Sequence, residues 1–204
     1  LDVQDGGVEA VLPNLIATAR VVNGAVQTGA INVTVAGTTI ASGLAYATSS
    51  LYTLSAAGSV LVSAEATSTP GAPVATLQAN FPSARELTLV VLGLAGAVRI
   101  VPLVDDNRVP ATGQSRVRFV NASSDVAAYD VYVGDTKQVA ALAAGVAAPY
   151  ISIAAGTYTV TYRDPATGAT ALTVADQVFG DSRVLSIYAV GTAGALGSVV
   201  NTDR

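Results

Sequence analysis

The chain has 204 residues, of which 51% are hydrophobic and 12% are charged, and its net charge is −4. This hydrophobic content is enough for one or two packed domains and excludes a disordered chain. The basic residues are scattered, so we expect no nucleic-acid partner, which would need a clustered basic face. Cys and His are absent. Because disulfides, thiolate nucleophiles and the usual zinc, haem and iron–sulfur ligands are thereby removed, we predict no cofactor and no metal site.

The first 14 residues form an N-terminal extension that lies outside the repeated part of the chain. They contain a short alternating segment that follows the flexible pair Gly6-Gly7. A spare strand of this kind can pair with the sheet edge of a neighbouring subunit, as in donor-strand assembly. The candidate interface residues are Val3, Val8, Ala10 and Leu12. The alternative is that the segment lies along its own domain.

The chain contains two copies of one unit at a constant offset of 98 positions. The offset runs without a gap and pairs, among others, Arg20 with Arg118, Asn23 with Asn121, Tyr52 with Tyr150, Phe81 with Phe179 and Arg85 with Arg183. We assign repeat 1 to residues 15–106, a linker to 107–112 and repeat 2 to 113–204. Because the period is that of a whole domain, this is duplication of a folding unit and not a solenoid.

Each repeat has the alternating pattern of half-buried strands. Residues 157–162 place Tyr158, Val160 and Tyr162 on one face and three threonines on the other. Turn sequences separate such runs, and about seven strands per repeat result. The fold class predicted is all-β, with two tandem antiparallel β-sandwich domains of immunoglobulin-like or transthyretin-like type. The core is predicted to contain Val33, Val35, Val60, Val62, Leu87 and Leu89, with their partners Val131, Val133, Tyr158, Val160, Leu185 and Ile187.

A membrane location is disfavoured by the same pattern. The longest uncharged run, residues 21–64, alternates in polarity and is interrupted by glycine. The most hydrophobic stretch, residues 87–98, is too short for a transmembrane helix. An outer-membrane barrel would need aromatic girdles, whereas aromatic residues make up 5% of the chain. We therefore expect no membrane span.

Two segments of repeat 2 resemble a known family. Residues 115–125, followed by 129–133, look like the opening of a bacterial domain of unknown function numbered 4397, and residues 149–160 resemble its central strand and turn. The resemblance implies a secreted or cell-surface β-sandwich, commonly repeated in tandem. It reaches repeat 1 only through the internal alignment, and it brings no established active site.

The residues that could carry chemistry have simpler structural interpretations. Lys137, the single lysine, lies in an apparent turn, and we expect it to be solvated and not a general base. Asp125, Asp130 and Asp135 could act as catalytic carboxylates but are more typical of turns and strand ends. Asp105-Asp106-Asn107 offers oxygen ligands for calcium without the spacing of a calcium loop. We therefore predict no catalytic residues and no enzyme.

The arginines that occupy equivalent positions in both repeats are Arg20 with Arg118 and Arg85 with Arg183. Because both repeats keep them, we expect them to bridge a loop carbonyl or a carboxylate within the fold rather than to capture a ligand.

Repeat 1 is unusually poor in charge. Residues 15–104 contain three arginines and two glutamates, whereas repeat 2 has six basic residues and seven aspartates. A free soluble domain normally keeps a charged surface, so we expect part of repeat 1 to be buried against other subunits.

The leading functional hypothesis is a structural subunit of an extracellular bacterial assembly, such as a filament, surface layer or matrix fibre, that forms a homo-oligomer or polymer by strand addition. The alternative is a secreted or cell-surface sandwich module that binds a protein or glycan ligand. The chain begins with Leu1 and not with Met, which fits a processed, secreted protein.

Overall fold

The computed structural model describes residues 16–203, which form strands joined by turns and loops. The leader residues Val3, Val8, Ala10 and Leu12 lie outside the described residues. Within the described range, no helix is long and apolar enough to span a bilayer.

Repeat 1 contains nine strands: β1 (Ile16–Val26), β2 (Ile31–Val35), β3 (Thr38–Leu44), β4 (Thr48–Ser49), β5 (Thr53–Ala56), β6 (Gly58–Ala66), β7 (Pro73–Phe81), β8 (Glu86–Leu94) and β9 (Arg99–Val104). Repeat 2 contains eight: β10 (Gln114–Ser123), β11 (Ala128–Val133), β12 (Thr136–Ala143), β13 (Ile151–Ala154), β14 (Gly156–Arg163), β15 (Thr170–Phe179), β16 (Arg183–Thr192) and β17 (Ala195–Thr202). The predicted number of about seven is too low because short edge strands, such as the two-residue β4, carry no alternating pattern.

The strands form four sheets, two in each repeat. In repeat 1 the inner sheet has the order β4-β1-β8-β9, with β5 also paired to β1, and the outer sheet has the order β3-β2-β6-β7. In repeat 2 the inner sheet is β13-β10-β16-β17 and the outer sheet is β12-β11-β14-β15. Corresponding strands occupy corresponding places, so the two tandem β-sandwiches predicted from the sequence are confirmed.

One strand pair in each sandwich is parallel, whereas the sequence pattern predicted antiparallel β-sandwiches. β1 runs parallel to β8, and β10 runs parallel to β16. All other strand pairs are antiparallel. Both parallel pairs lie in the middle of an inner sheet and are buried on both faces. β8 is apolar almost throughout, as expected for a strand in that position, whereas β10 also buries polar side chains such as Arg118 and Asn121.

The space between the two sheets of each repeat holds a separate hydrophobic core. Of the twelve predicted core residues, eleven are buried. Tyr158 is half-buried and packs its ring against Phe179 with the ring centroids 5.1 Å apart. The predicted strand phase is therefore confirmed.

Equivalent polar and glycine positions have the same role in both repeats. Asn23 and Asn121 are fully buried, and the side-chain amide of each donates to a carbonyl 21 residues ahead, at 2.9 Å and 3.0 Å. Gly93 and Gly191 have φ near +120°, and a Cβ at either would lie 2.4 Å from a backbone oxygen. Only glycine fits these two positions.

The two repeats pack through their inner sheets. A third apolar cluster forms between them from residues on the faces that point away from each sandwich core, namely Val22, Val90, Leu92, Val120, Ala122, Tyr188, Val190 and Val199. The order of layers is therefore outer sheet, inner sheet, inner sheet, outer sheet. The two repeats therefore share a buried interface and are not connected through the linker alone.

Candidate functional site

Four charged side chains are buried where the repeats meet. Arg20 Nη2 lies 2.5 Å from Asp203 Oδ1, and Arg118 Nη2 lies 2.5 Å from Asp105 Oδ1. None of the four side chains is more than 5% exposed. The offset of 98 relates Arg20 to Arg118 and also Asp105 to Asp203. Each repeat therefore gives its arginine to the aspartate of the other, and the two ion pairs are reciprocal.

In repeat 1, local contacts hold this arginine and aspartate in place. Arg20 Nε donates to Thr88 Oγ1 at 2.8 Å, and its guanidinium lies over the ring of Tyr52, 4.6 Å from the centroid. Asp105 Oδ2 accepts from Tyr52 at 2.6 Å and from Thr88 at 2.7 Å. The side chains that cross the interface are thus oriented by their own repeat.

Repeat 2 has the same arrangement at the equivalent positions. Arg118 Nε donates to Ser186 Oγ at 3.2 Å and lies over Tyr150, 4.7 Å from the ring centroid. Asp203 Oδ2 accepts from Ser186 at 2.8 Å and from Tyr150 at 3.4 Å. The hydroxyl of Tyr188 accepts from Arg118 Nη2 at 3.4 Å. This last contact has no counterpart in repeat 1, where Val90 occupies the equivalent position.

The buried environment changes the proton affinities of these groups. Burial raises the pKa of Asp203, and Arg20 acts in the opposite direction. Burial also acts to lower the pKa of both arginines, but nearby tyrosine and aspartate oxygens outweigh it and raise their pKa. Each guanidinium group has the carboxylate of the other repeat as its closest acidic partner. The Arg20–Asp203 contact is ionic and lies outside hydrogen-bond geometry.

The residues considered for acid–base chemistry have local partners. Lys137 lies at the start of β12, and its Nζ is 2.5 Å from Asp130 Oδ2. The hydrogen bond to Asp130 raises the pKa of Lys137, whereas an amine nucleophile or base needs a lowered one. Asp125 accepts from the backbone of Ala193 at 2.8 Å, and Asp135 lies in the turn between β11 and β12.

The two aspartates that were considered as calcium ligands form ion pairs with arginines. Asp105 pairs with Arg118, and Asp106 Oδ2 lies 2.6 Å from Arg108 and 2.8 Å from Arg116. Hydrogen bonds from Arg108 and Arg116 lower the pKa of Asp106. Among residues 16–203, no group of three or more His, Cys, Asp or Glu side chains is arranged to hold a metal ion.

A cleft of about 460 Å³ opens between repeat 1 and the start of the linker. Its lining includes Arg85 and Glu86 together with residues 16–18 and 105–108. Arg85 and its equivalent Arg183 are exposed, and neither belongs to an ion pair within the described chain. The two predicted arginine pairs therefore differ, because only Arg20 and Arg118 bridge to carboxylates.

Repeat 1 has more exposed large apolar side chains than repeat 2. In repeat 1 these are Ile16, Tyr46, Leu51, Leu54, Leu61, Leu94 and Val104, whereas in repeat 2 they are Val146 and Val178. Leu51 is 87% exposed and Leu54 is 67% exposed. Low charge in repeat 1 is thus accompanied by a larger number of exposed apolar side chains than repeat 2 has.

The equivalent edge strands β7 and β15 also differ. β7 pairs with β6 in unbroken register from Phe81 to Ala75 and contains no charged residue. β15 is interrupted by a bulge opposite β14, where Asp176 has a φ of 50°. Bulges and charges protect a sheet edge against further pairing. At β7 the interruption is confined to its first residues, where Pro73 pairs out of register with Glu65, and the edge from Ala75 to Phe81 has neither a bulge nor a charge.

The reciprocal ion pairs were missed by reasoning from the sequence. The arginines were identified as equivalent, but Asp105 was considered only as a calcium ligand. The signal was present, because Asp105 and Asp203 are separated by the same 98 positions as the arginines. The sequence does not show whether each arginine pairs with the aspartate of its own repeat or with that of the other repeat, because both arrangements have the same offset of 98 positions.

Comparison with known proteins identifies the unit that is repeated. The family model described as a domain of unknown function (DUF4397) matches residues 17–128 and 117–204. No curated protein matches the chain.

Proposed function

We propose a structural role for this chain, which belongs to the family of domains of unknown function DUF4397 and carries two copies of that domain. The chain serves as a non-catalytic subunit of an extracellular bacterial assembly, such as a filament, a surface layer or a matrix fibre. The observation that supports this role best is the number of exposed large apolar side chains on repeat 1. Exposed apolar side chains on a charge-poor domain are typical of surfaces that are buried by assembly.

Strand addition is the mode of assembly that we propose. The extension of one chain pairs with β7 in repeat 1 of the next chain, with Val8, Ala10 and Leu12 facing that sandwich. The acceptor edge follows from the contrast between the uncharged β7, which is regular from Ala75 to Phe81, and the bulged β15. An incoming strand satisfies unpaired backbone groups and buries alternate side chains. Because donor and acceptor are different surfaces, the product is an open polymer.

Deleting residues 1–12 tests this mode directly. Both sandwiches should keep their circular dichroism spectrum, while polymers should disappear from electron micrographs and from sedimentation profiles. The point variants Val8→Asp and Leu12→Asp should also prevent assembly, whereas Val11→Asp should not, because alternate residues of a strand face opposite sides. A truncated chain that polymerises normally contradicts strand addition.

The acceptor edge has a test of its own. Lysines placed at the exposed positions Thr76 and Gln78 of β7 should block assembly, because charged side chains on an edge oppose strand pairing. Lysines at the exposed positions Ala171 and Thr173 of β15 provide the matched control and should leave polymers unchanged. Equal effects at both edges would contradict the choice of β7.

The cleft between repeat 1 and the linker favours a second candidate function. A secreted or cell-surface module would present this cleft to a protein or glycan ligand, with Arg85 and Glu86 as polar contacts. Analytical ultracentrifugation of the 204-residue chain separates the two roles. Monomers at high concentration would support the binding module, and concentration-dependent polymers support the structural subunit.

A further inference from the structure

The faces that join the two repeats have the character of an isologous interface. In such an interface one surface patch meets a copy of itself, so that residue i contacts j and residue j contacts i. The ion pairs Arg20–Asp203 and Arg118–Asp105 satisfy this relation, because equivalent residues exchange roles across the interface. The supporting threonine or serine and the tyrosine are also supplied by both repeats.

Each repeat presents its half of this interface in a preformed state. Arg20 and Asp105 are connected through Thr88 and Tyr52 of the same repeat, and Arg118 and Asp203 are connected in the same way. The arginine and the aspartate of each repeat are therefore oriented by their own repeat and do not depend on the other repeat for their position. Nothing in this arrangement requires the two repeats to belong to one chain.

The apolar centre of the interface is not symmetric. Tyr188 is fully buried there, and its equivalent is Val90. A pair of first repeats would place valine where the tyrosine fits and leave a cavity. A pair of second repeats would place tyrosine where the valine fits and overpack the site. The shapes of the two repeats therefore favour the pairing of repeat 1 with repeat 2.

We propose that this face is also an interface between chains, through which repeat 1 of one molecule pairs with repeat 2 of another. The proposed partner is a second copy of this chain, and the product is a repeat-exchanged dimer or a longer series. This route does not use the N-terminal extension, so it is independent of strand addition.

The linker sets the conditions for exchange. Few residues separate Asp105, which is part of the interface, from β10, so the two repeats of one chain meet at high effective concentration. Short linkers give effective concentrations on the order of mM. Exchange between chains should therefore be minor at micromolar protein and should increase steadily as the protein concentration approaches about 1 mM.

The absence of cysteine from the chain allows pairing to be read from introduced thiols. Ser49 Oγ lies 2.6 Å from Asn201 Oδ1 across the interface. A chain with Ser49→Cys is mixed with a chain with Asn201→Cys, and the mixture is refolded from urea at increasing concentration and treated with a short thiol crosslinker. We expect a covalent dimer whose yield rises with concentration. The double variant Ser49→Cys/Asn201→Cys should crosslink within one chain and so verifies the geometry.

Two further mixtures report the other pairings. The offset relates Ser49 to Ala147 and Asn201 to Leu103. A mixture of Ser49→Cys and Leu103→Cys chains crosslinks only if first repeats pair, and a mixture of Ala147→Cys and Asn201→Cys chains crosslinks only if second repeats pair. Both should stay at the level of chance collisions. That level is given by Ser59→Cys with Thr157→Cys, exposed and equivalent positions on the outer sheets.

The proposal fails if the Ser49→Cys and Asn201→Cys mixture gives no more dimer than the outer-sheet control at every concentration. It also fails if the two like-with-like mixtures crosslink as well as the mixed pair does. Dimers that form equally well after residues 1–12 are deleted would confirm that the route is separate from strand addition, whereas dimers that disappear with the extension would overturn it.

Discussion

At the scale of single residues, the buried ion pairs are the main polar feature of the molecule. Burying a charge is costly unless a partner and further hydrogen bonds compensate it. Asp105 has such compensation from Arg118, Tyr52 and Thr88. Removing one member of such a pair leaves the other charged and unpaired in a nearly dry interface. The geometry of this network therefore makes a quantitative prediction about stability.

Asp105→Asn should lower the free energy of unfolding by about 3–5 kcal/mol, because Arg118 would remain buried without its counter-charge. Urea denaturation measures the change. In the double variant Asp105→Asn/Arg118→Met the loss should be smaller than the sum of the single losses, since no isolated charge remains. Asp135→Asn, in an exposed turn, is the control and should change stability by less than about 0.5 kcal/mol. Additive effects at positions 105 and 118 would contradict the pairing.

The linker carboxylate Asp106 makes a prediction about pH. Hydrogen bonds from Arg108 and Arg116 hold its pKa in the folded protein below the ordinary value of 3.8. A lowered pKa gives stability that is fully present above 3.8 and is lost as the pH falls towards the folded value. The wild type should therefore be more stable than Asp106→Asn at pH 6, and the difference should shrink below pH 4. Urea titrations of both proteins between pH 2 and 7 measure it.

The opposite shift of Asp203 does not affect this comparison. Its raised pKa favours the folded state as the pH falls, but the group is present in both proteins and its contribution cancels from the difference. A difference that stays constant from pH 7 to pH 2 would show that the contacts of Asp106 do not contribute to stability in solution.

At the scale of strands, alternation of apolar and polar residues predicted the buried positions correctly where a strand has one buried face. The phase of β6 and β14 could be read from the sequence because one face of each strand packs on a core, whereas the other face is exposed or half-buried apart from the buried Thr161 of β14. The parallel pairs could not be read in this way, because β8 and β16 are buried on both faces. Their second buried face belongs to the inter-repeat interface, which sequence alternation within one repeat does not reveal. The near-continuous apolar run of β8 was the available signal.

The phase of β14 predicts a sharp contrast between neighbouring positions. Val160 is fully buried, and Val160→Asp should cost several kcal/mol because it would bury an unpaired charge. Thr159 is on the opposite face and exposed, so Thr159→Asp should leave the melting temperature nearly unchanged. Thermal unfolding followed by circular dichroism compares the two. Equal losses would show that the strand is in the wrong register.

At the scale of the whole molecule, the shared interface distinguishes these two repeats from domains that are joined only by a linker. Domains that are joined only by a linker unfold independently, whereas domains that share a buried apolar face lose that burial when either one unfolds. Here the interface contains eight buried apolar residues and two ion pairs. The offset in the sequence established the duplication, but the packing of the copies depends on outward-facing residues such as Val22 and Val120, which resemble core residues in the sequence.

This coupling predicts that damage in one repeat destabilises the other. Val160→Ala creates a cavity in the core of repeat 2, at a typical cost of about 2–3 kcal/mol, and lies away from the interface. If the repeats unfold as one unit, hydrogen exchange should become faster at amides of β1 and β8 in repeat 1 as well as in repeat 2, because their protection depends on the same opening reaction. The equivalent variant Val62→Ala is the matched control and should speed exchange in β10 and β16.

A variant with Asp105→Asn and Asp203→Asn should uncouple the repeats, since it removes both carboxylates that hold the interface together. Exchange in β1 and β8 that is unaffected by Val160→Ala would mean that the repeats are independent, and that the interface adds specificity of pairing without adding cooperativity.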